Sequence, residues 1–414
     1  MSITIGARRA SAITALAALL GTVPAIANTD HEELRALRAQ VGLLLDRIER
    51  LEAQQNESSA QQQALAQQQE VIAEAVESGA GSDPLLEWAR KTQFGAYGEV
   101  HMNQLESKDQ IDYHRFVLYM NHQFNDDLRF FSELELEHSL AGDGQPGEVE
   151  LEQAFIEYDL NEQHRAKGGL FLIPVGILNE THEPDTFYGV ERNNVEAAII
   201  PTTWWEAGAG LSGELAQGFQ YDLAIHSGLD VTDGGKDPSG GAIRGGRQKV
   251  ANALADDPAY TARLKYTGMP GLEVAGTVQL QEDITQSDPA SDDAGAVLLE
   301  THVVYNRGPF GLRALYAAWD IDGDEFEMMN TDKQEGWYVE PSWRFNDKFG
   351  VFTRYSEWDN AAGGGGNSVM ERFDIGFNWW LHPNVVVKFD WTDLENPTGP
   401  DDDGFNIGLG YSFN

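Results

Sequence analysis

The sequence predicts an all-β fold, an antiparallel transmembrane β-barrel of about sixteen strands, preceded by an N-terminal α-helical coiled-coil segment. Three observations carry that reading. From residue 93 onward apolar and polar side chains alternate with period two. Along the same stretch short turns and longer links take turns without a break. Ahead of it, apolar residues recur at the three-then-four spacing of a coiled-coil seam.

Composition narrows the function. The 414 residues hold 67 Asp and Glu against 28 Lys and Arg, a net charge of −39. Nucleic-acid phosphates need clustered basic residues, so they are excluded as partners. There is no cysteine, which removes disulfides and thiolate metal sites. Mean hydropathy is −0.40. No apolar run past residue 30 reaches the ~18 residues of a spanning helix. Barrel strands alternate and so dilute that signal, which leaves a membrane location open.

In chain order, Arg8 and Arg9 precede the apolar run 10–20, and Ala25-Ile26-Ala27 has the A-x-A form of a cleavage site. Residues 1–27 are therefore expected to be a signal peptide. In 28–78, Leu34, Leu37, Val41, Leu44, Ile48 and Leu51 form the seam of a coiled-coil stalk, which loosens through a Gln-rich second half. A single amphipathic helix is the plainer alternative. Residues 79–92, opening on Gly79-Ala80-Gly81, read as a linker.

The barrel is expected over 93–414. Phe94, Ala96, Val100 and Met102 alternate with Tyr97, Glu99, His101 and Asn103, and fifteen further strands follow in the same manner. Their tight turns are built of Asn, Asp, Gly and Pro, as at Asn125-Asp126-Asp127, Asn346-Asp347 and His382-Pro383-Asn384. The longer links fall at 104–110, 139–147, 174–205, 228–258, 283–293, 322–334, 360–367 and 395–402. A soluble β-sandwich has no reason for this asymmetry, whereas a membrane barrel has short turns at one end and long loops at the other. Aromatics gather beside the short turns, at Phe124, Phe130, Trp343, Phe345, Phe349, Trp379 and Trp380, like a headgroup girdle.

The third long link, 174–205, lacks any period and is rich in charge. A structureless loop of that length inside a compact fold is usually functional. It reads as a loop folded inward to narrow a pore, with Glu180, His182, Glu183, Asp185, Tyr188, Glu191 and Arg192 at the constriction. The link 228–258, rich in Gly and Asp, reads as mobile surface.

Three runs, HRFVLYMNHQFNDDLRFFSELELEH from His114, GEVELEQAFIEYDL from Gly147 and LFLIPVGILNETHEPDTFYGVERNNVE from Leu170, resemble outer-membrane porins of the phosphate-selective porin O/P superfamily. The resemblance implies a sixteen-stranded porin barrel in the outer membrane of a Gram-negative bacterium, a homotrimer, an inward third loop and passive diffusion of small hydrophilic solutes. Outer-membrane lipid is then a partner. Lipopolysaccharide is a further candidate, bridged through divalent ions by the acidic links at Asp401-Asp402-Asp403 and 230–237, for which solvated surface is the plainer reading. Phosphate-selective members line the constriction with Arg and Lys. This loop has Arg192 alone against Glu180, Glu183, Asp185, Glu191 and Glu196, so no phosphate-binding residue is carried over. The chain also ends one residue past the usual terminal aromatic, at Phe413-Asn414.

Polar-parity residues should face the lumen. The early strands supply Glu99, Arg115, Arg129, Glu133, Glu135 and Glu157. The later ones supply Arg263, Lys265, Arg313, Arg344, Arg354, Arg372 and Lys388, with Glu340, Asp374 and Asp390 among them. The acidic loop is expected to face this more basic wall across the pore, with a lean towards cations. The plainer alternative is that these charges pair with one another. No H-E-x-x-H or G-x-S-x-G frame is present, so no catalytic residue and no cofactor is expected. Nothing in the spacing fixes Glu180, His182, Glu183 and Asp185 around an ion, so no metal is expected either. Two other functions stay open: a substrate-specific anion channel, and an envelope tether acting through the coiled coil.

Overall fold

A computed structural model describes residues 84–232, 243–364 and 366–413. The expected signal peptide and coiled coil lie outside the described residues. Within the stretch read as a linker, Pro84–Lys91 forms a helix, α1. Sixteen strands follow: β1 (Thr92–Leu105), β2 (Asp109–Gln123), β3 (Leu128–Glu137), β4 (Val149–Asp159), β5 (His164–Leu172), β6 (Trp205–Ala216), β7 (Phe219–His226) and β8 (Ala259–Met269). The second half holds β9 (Leu272–Gln281), β10 (Gly295–Arg307), β11 (Phe310–Asp322), β12 (Lys333–Arg344), β13 (Phe349–Asp359), β14 (Met370–His382), β15 (Val385–Glu395) and β16 (Gly404–Phe413). Short helices α2 (Val195–Ala198) and α3 (Asp324–Met329) lie in links.

Each strand pairs antiparallel with its sequence neighbours, and β1 pairs with β16 from Ala96↔Phe413 to Leu105↔Gly404, which closes the barrel. Closure leaves no free sheet edge, so every ladder group finds a partner without water. Among the described residues no helix is long and apolar enough to cross a membrane; the crossing is made by strands.

Alternation sorts the two faces. Phe94, Leu118, Leu134, Leu264, Ile375 and Leu409 are exposed on the outside, while Tyr97, Glu99, Arg115, Arg263, Arg354 and Lys388 are buried within. Three short turns share one device. The Asn125 side-chain oxygen accepts from the N–H groups of Asp127 and Leu128, both at 2.9 Å. Asn161 and Asn346 do the same for the residues two and three places on. An Asn side chain that mimics a backbone carbonyl fixes a tight turn.

Three expectations are corrected. The link 104–110 is not long: β1 and β2 run on until Leu105 and Lys108 exchange both backbone hydrogen bonds, at 3.0 and 3.2 Å. Its polar Glu-Ser-Lys sequence reads as loop, yet the ladder continues to the turn. Trp380 is no girdle residue. Its parity turns it into the lumen, where it packs edge-on to Tyr188. The other outer aromatics, Phe124, Trp343, Phe345, Phe349 and Trp379, stay exposed. The link 228–258 is not mere surface, since Leu229 and Ile243 are fully buried.

Candidate pore constriction

Residues 173–204, between β5 and β6, fold into the barrel and hold themselves closed at the neck. The Asn179 amide donates to the carbonyls of Ile173 and Trp204, at 2.8 and 2.9 Å, and its oxygen accepts from the Trp204 N–H at 2.7 Å. Glu196 is fully buried. Its carboxylate accepts from the N–H groups of Ile177 and Leu178, from Asn193 and from the Tyr338 hydroxyl on β12. Charge-assisted bonds of this kind offset the cost of burying a carboxylate. Gly176 sits at φ +70 beneath that carboxylate, where a Cβ would lie 2.7 Å from Glu196 Oε2. Glu196 is thus a structural clasp and not one of the acids facing the pore.

Behind the clasp the loop is apolar. Ile173, Val175, Val195, Ile199, Ile200 and Trp204 pack on Leu298, Leu315, Trp319, Tyr338 and Trp358 of the β10–β13 wall. Trp319 Nε1 donates to the Ile199 carbonyl at 2.8 Å. This part of the lumen is a packed core. Sequence parity missed it because inward residues here are apolar on purpose, to receive the loop. From the next link, Arg244 donates to the Ala197 and Thr202 carbonyls and Arg247 to that of Thr203, so residues read as surface brace the loop from outside. Burial, with Arg247 and Arg192 nearby, brings the Arg244 guanidinium down to about 9.

The polar residues of the loop reach almost all round the wall. Glu180 pairs with Arg263 on β8, which also holds Asp222 at 2.8 Å. Glu191 meets His101 at 3.1 Å and Asn103 at 2.9 Å on β1, and His101 touches Glu99 as well. Arg115 on β2 bonds Glu99 at 2.7 Å and the His182 carbonyl. His182 accepts at Nε2 from the Tyr97 hydroxyl, 2.8 Å away. Asp185 takes the Ser412 hydroxyl at 2.7 Å, and Arg192 turns back to Thr203 at 2.8 Å. Burial, helped by Arg115 and Arg192, holds the His182 imidazolium far below its ordinary range, so the ring is neutral.

The basic wall is held in the same way. Arg354 bonds Asp374 at 3.0 Å and Glu340 at 3.2 Å, and Arg372 bonds Asp374 at 2.9 Å and Asn194 at 3.0 Å. Lys388 lies 3.5 Å above the Phe187 ring. Arg313 donates to the Thr186 carbonyl at 2.7 Å, and Arg344 lies 4.2 Å over Trp380. Lys265 on β8 stands opposite Gln220 on β7 and Ala275 on β9. Arg129 is away from the constriction, paired with Glu157 and Asp159. The picture of an acidic loop facing a basic wall across open water is therefore corrected for Glu180 and Glu191. They touch Arg263 and His101, because the apolar core draws the loop onto the wall.

Open space remains at the short-turn end, on two sides of the loop tip. One cavity, about 400 Å³, lies against β1–β4 and is lined by Tyr97, Tyr119, Glu133, Gln153, Glu183 and Asp185. The other, about 370 Å³, lies against β10–β12 and Trp380 of β14 and carries Arg313, Glu340, Arg344 and Tyr188. Sequence reading missed Glu152 and Lys167. Lys167 lies 4.3 Å over the inward Phe171 ring. For Glu152 the cause is a bulge: Glu133 pairs Gln153 but Leu134 pairs Leu151, so Glu152 and Gln153 both turn inward.

A closed sixteen-stranded barrel with an apolar outside, a polar inside and a loop folded into it defines the class, an outer-membrane diffusion channel. Residues 216–399 match the model of the Gram-negative porin family, in keeping with an outer-membrane channel. An uncharacterized protein of Aquifex aeolicus (strain VF5) is 26% identical over 386 residues, covering 83% of this chain and 86% of that one. Among solved structures, an anion-selective porin from Comamonas acidovorans superposes with a TM-score of 0.56 at 11% identity, over 78% of this chain and all of that one. OmpT of Vibrio cholerae in its trimer form superposes at 0.52 with 12% identity, over 78% and 99% of the chains. At such identities the structural likeness is one of fold. The expected resemblance thus stands at the level of the Gram-negative porin. Neither match singles out the phosphate-selective branch.

Proposed function

We propose that this porin passes small hydrophilic solutes and ions by passive diffusion past the tip of loop 173–204, with a preference for cations. The observation that carries the preference is the lining of the β1–β4 cavity. It contains Glu133, Glu183 and Asp185 and no basic side chain. Charges lining a narrow pore set its ion preference. Glu180, Glu191 and Arg192 act one step back, fixing the loop, and Tyr188 and His182 shape its underside. The protein acts without catalysis.

The test is a reversal potential across a planar bilayer in a salt gradient. Wild type should favour cations, and Glu133→Gln, Glu183→Gln and Asp185→Asn together should abolish most of that preference. An unchanged potential would sink the assignment. A second reading, an anion route, rests on Arg313 and Arg344 in the opposite cavity. It requires anion preference in wild type and its loss on changing those two residues to Gln.

A homotrimer is the assembly proposed, with the trimeric OmpT fold as support; sedimentation in detergent tests it. Lipopolysaccharide is the proposed outer partner. On the outer face Glu357 sits opposite Glu371 and Glu371 opposite Glu395, a row of like charges that divalent ions could bridge to lipid phosphates.

A further inference from the structure

We propose that Glu133, Glu152 and His182 form a divalent-cation site of the zinc class in the wall of the β1–β4 cavity. The three residues come from β3, the β4 bulge and the inward loop, and each presents a ligand atom within 4.8 Å of the others.

The donor chemistry is specific. His182 Nδ1 faces the Asn179 carbonyl at 3.1 Å, and a carbonyl only accepts, so Nδ1 carries the hydrogen. Nε2 is then a lone pair. Glu152 Oε2 lies 3.8 Å from it. Both atoms are acceptors; the Tyr97 hydroxyl satisfies Nε2, and nothing donates to Glu152 Oε2. Glu152 is only 1% exposed, and its Oε2 has no hydrogen-bond partner. Such an atom is costly to leave unsatisfied. The Tyr97 hydroxyl, 2.8 Å from Nε2, occupies the lone pair in the place a metal would take.

Arg115 does not fill the gap. Its Nε and Nη2 are committed to Glu99 and the His182 carbonyl, and its Nη1 bonds to nothing. Its positive charge and that of Arg192 stand against Glu99, Glu133, Glu135 and Glu152. One imidazole and two carboxylates match zinc and its neighbours better than the all-oxygen set of calcium or magnesium. Two ligands about 2 Å from a metal are at most about 4 Å apart, which the His182–Glu152 separation already meets. Glu133 is half-buried and lines the cavity, so it closes the site by side-chain rotation and leaves an entry path from water. The histidine–carbonyl bond is the usual outer support of a metal-bound imidazole.

The experiment uses the full-length protein purified in detergent, with Co2+ as a spectroscopic probe and Zn2+ as competitor. One Co2+ per chain should bind, with visible absorption bands of a nitrogen–oxygen site, and Zn2+ should displace it. Glu152→Gln and His182→Gln should abolish the bands. Glu133→Gln, a half-exposed position that spares the fold, should weaken binding at least about ten-fold, the loss that even an outer-support change causes. Glu157→Gln, paired with Arg129 away from the constriction, should bind as wild type does. Circular dichroism confirms that each variant is folded. Absence of Co2+ binding to wild type, or unchanged binding in folded Glu133→Gln and Glu152→Gln, would overturn the site and would mean that a proton, not a metal, lies between the carboxylates. Because binding is read without ion flow, the outcome is independent of the selectivity proposal.

Discussion

Glu191 and Glu183 sit on one loop and respond oppositely to enclosure. For Glu191 enclosure opposes the charge, but the charge and hydrogen bond of His101 outweigh it, so its pKa lies below the usual carboxylate range. For Glu183 enclosure prevails, seconded by Asp185, and the pKa is raised. A depressed carboxylate contributes stability above its unfolded pKa of about 4.3, and that contribution is lost as pH falls through the folded value. A raised carboxylate loses its charge earlier on the way down. Acidification should therefore act in two steps: cation preference falls first, above about pH 4.3, and the contact of the loop with β1 loosens later. Reversal potential and conductance followed together from pH 7 to pH 3 check the order, and simultaneous changes would contradict it. Trp204 offers a test by size. It is fully buried against Trp319, with ring centroids 6.3 Å apart. Trp204→Ala should cost about 3–5 kcal/mol of stability and raise single-channel conductance as the loop loosens.

At the scale of elements, two features decide what the lumen contains. One is the β3–β4 bulge, which turns Glu152 inward beside Gln153. The other is the run of small residues on β16. A Cβ on Gly410 would stand 2.5 Å from Pro184, and one on Gly408 would stand 3.1 Å from Val190, so bare backbone lets the loop lie against this strand. Gly410→Val should push the loop tip away, altering conductance and lowering the melting temperature. A substitution at Gly366, with nothing within 4 Å, should leave both unchanged. Much of the element level was legible in the sequence. The expected links 139–147 and 395–402 came within a residue of those between β3 and β4 and between β15 and β16, because period-two alternation and turn residues are local signals. The inward-facing Arg115, Glu135, Arg263 and Arg354 were readable from parity alone. Glu152 was not, since a bulge shifts parity without leaving a residue-type mark. Nor was the clasp role of Glu196, whose partner Tyr338 lies 142 residues away.

The strands from Thr92 to Phe413 form a closed cylinder with a core of its own inside, between the inward loop and the β10–β13 wall. That core makes the loop a fixed part of the barrel. Removal of residues 28–78 should accordingly leave conductance and ion preference intact, since every contact described for the loop comes from residues after 84. Planar-bilayer recording of the shortened protein checks this, and a lost or altered channel would show that the N-terminal region takes part in the pore. Survival of the channel with a weakened envelope in cells would point to an added tethering role.

The sequence by itself determined the barrel, the number and place of its strands, which face meets lipid and which loop enters the lumen. The strands and their faces follow from alternation along the chain, and the loop from a long charged stretch without it, all properties of neighbouring residues. Only the tertiary structure decided what the loop does inside. Contacts such as Glu180 with Arg263 and Glu191 with His101 join residues 83 and 90 positions apart. They exist because buried apolar side chains bring the loop onto the wall. Distance along the chain carries no trace of that packing, so opposite charges that seemed to face one another across water prove to be in contact.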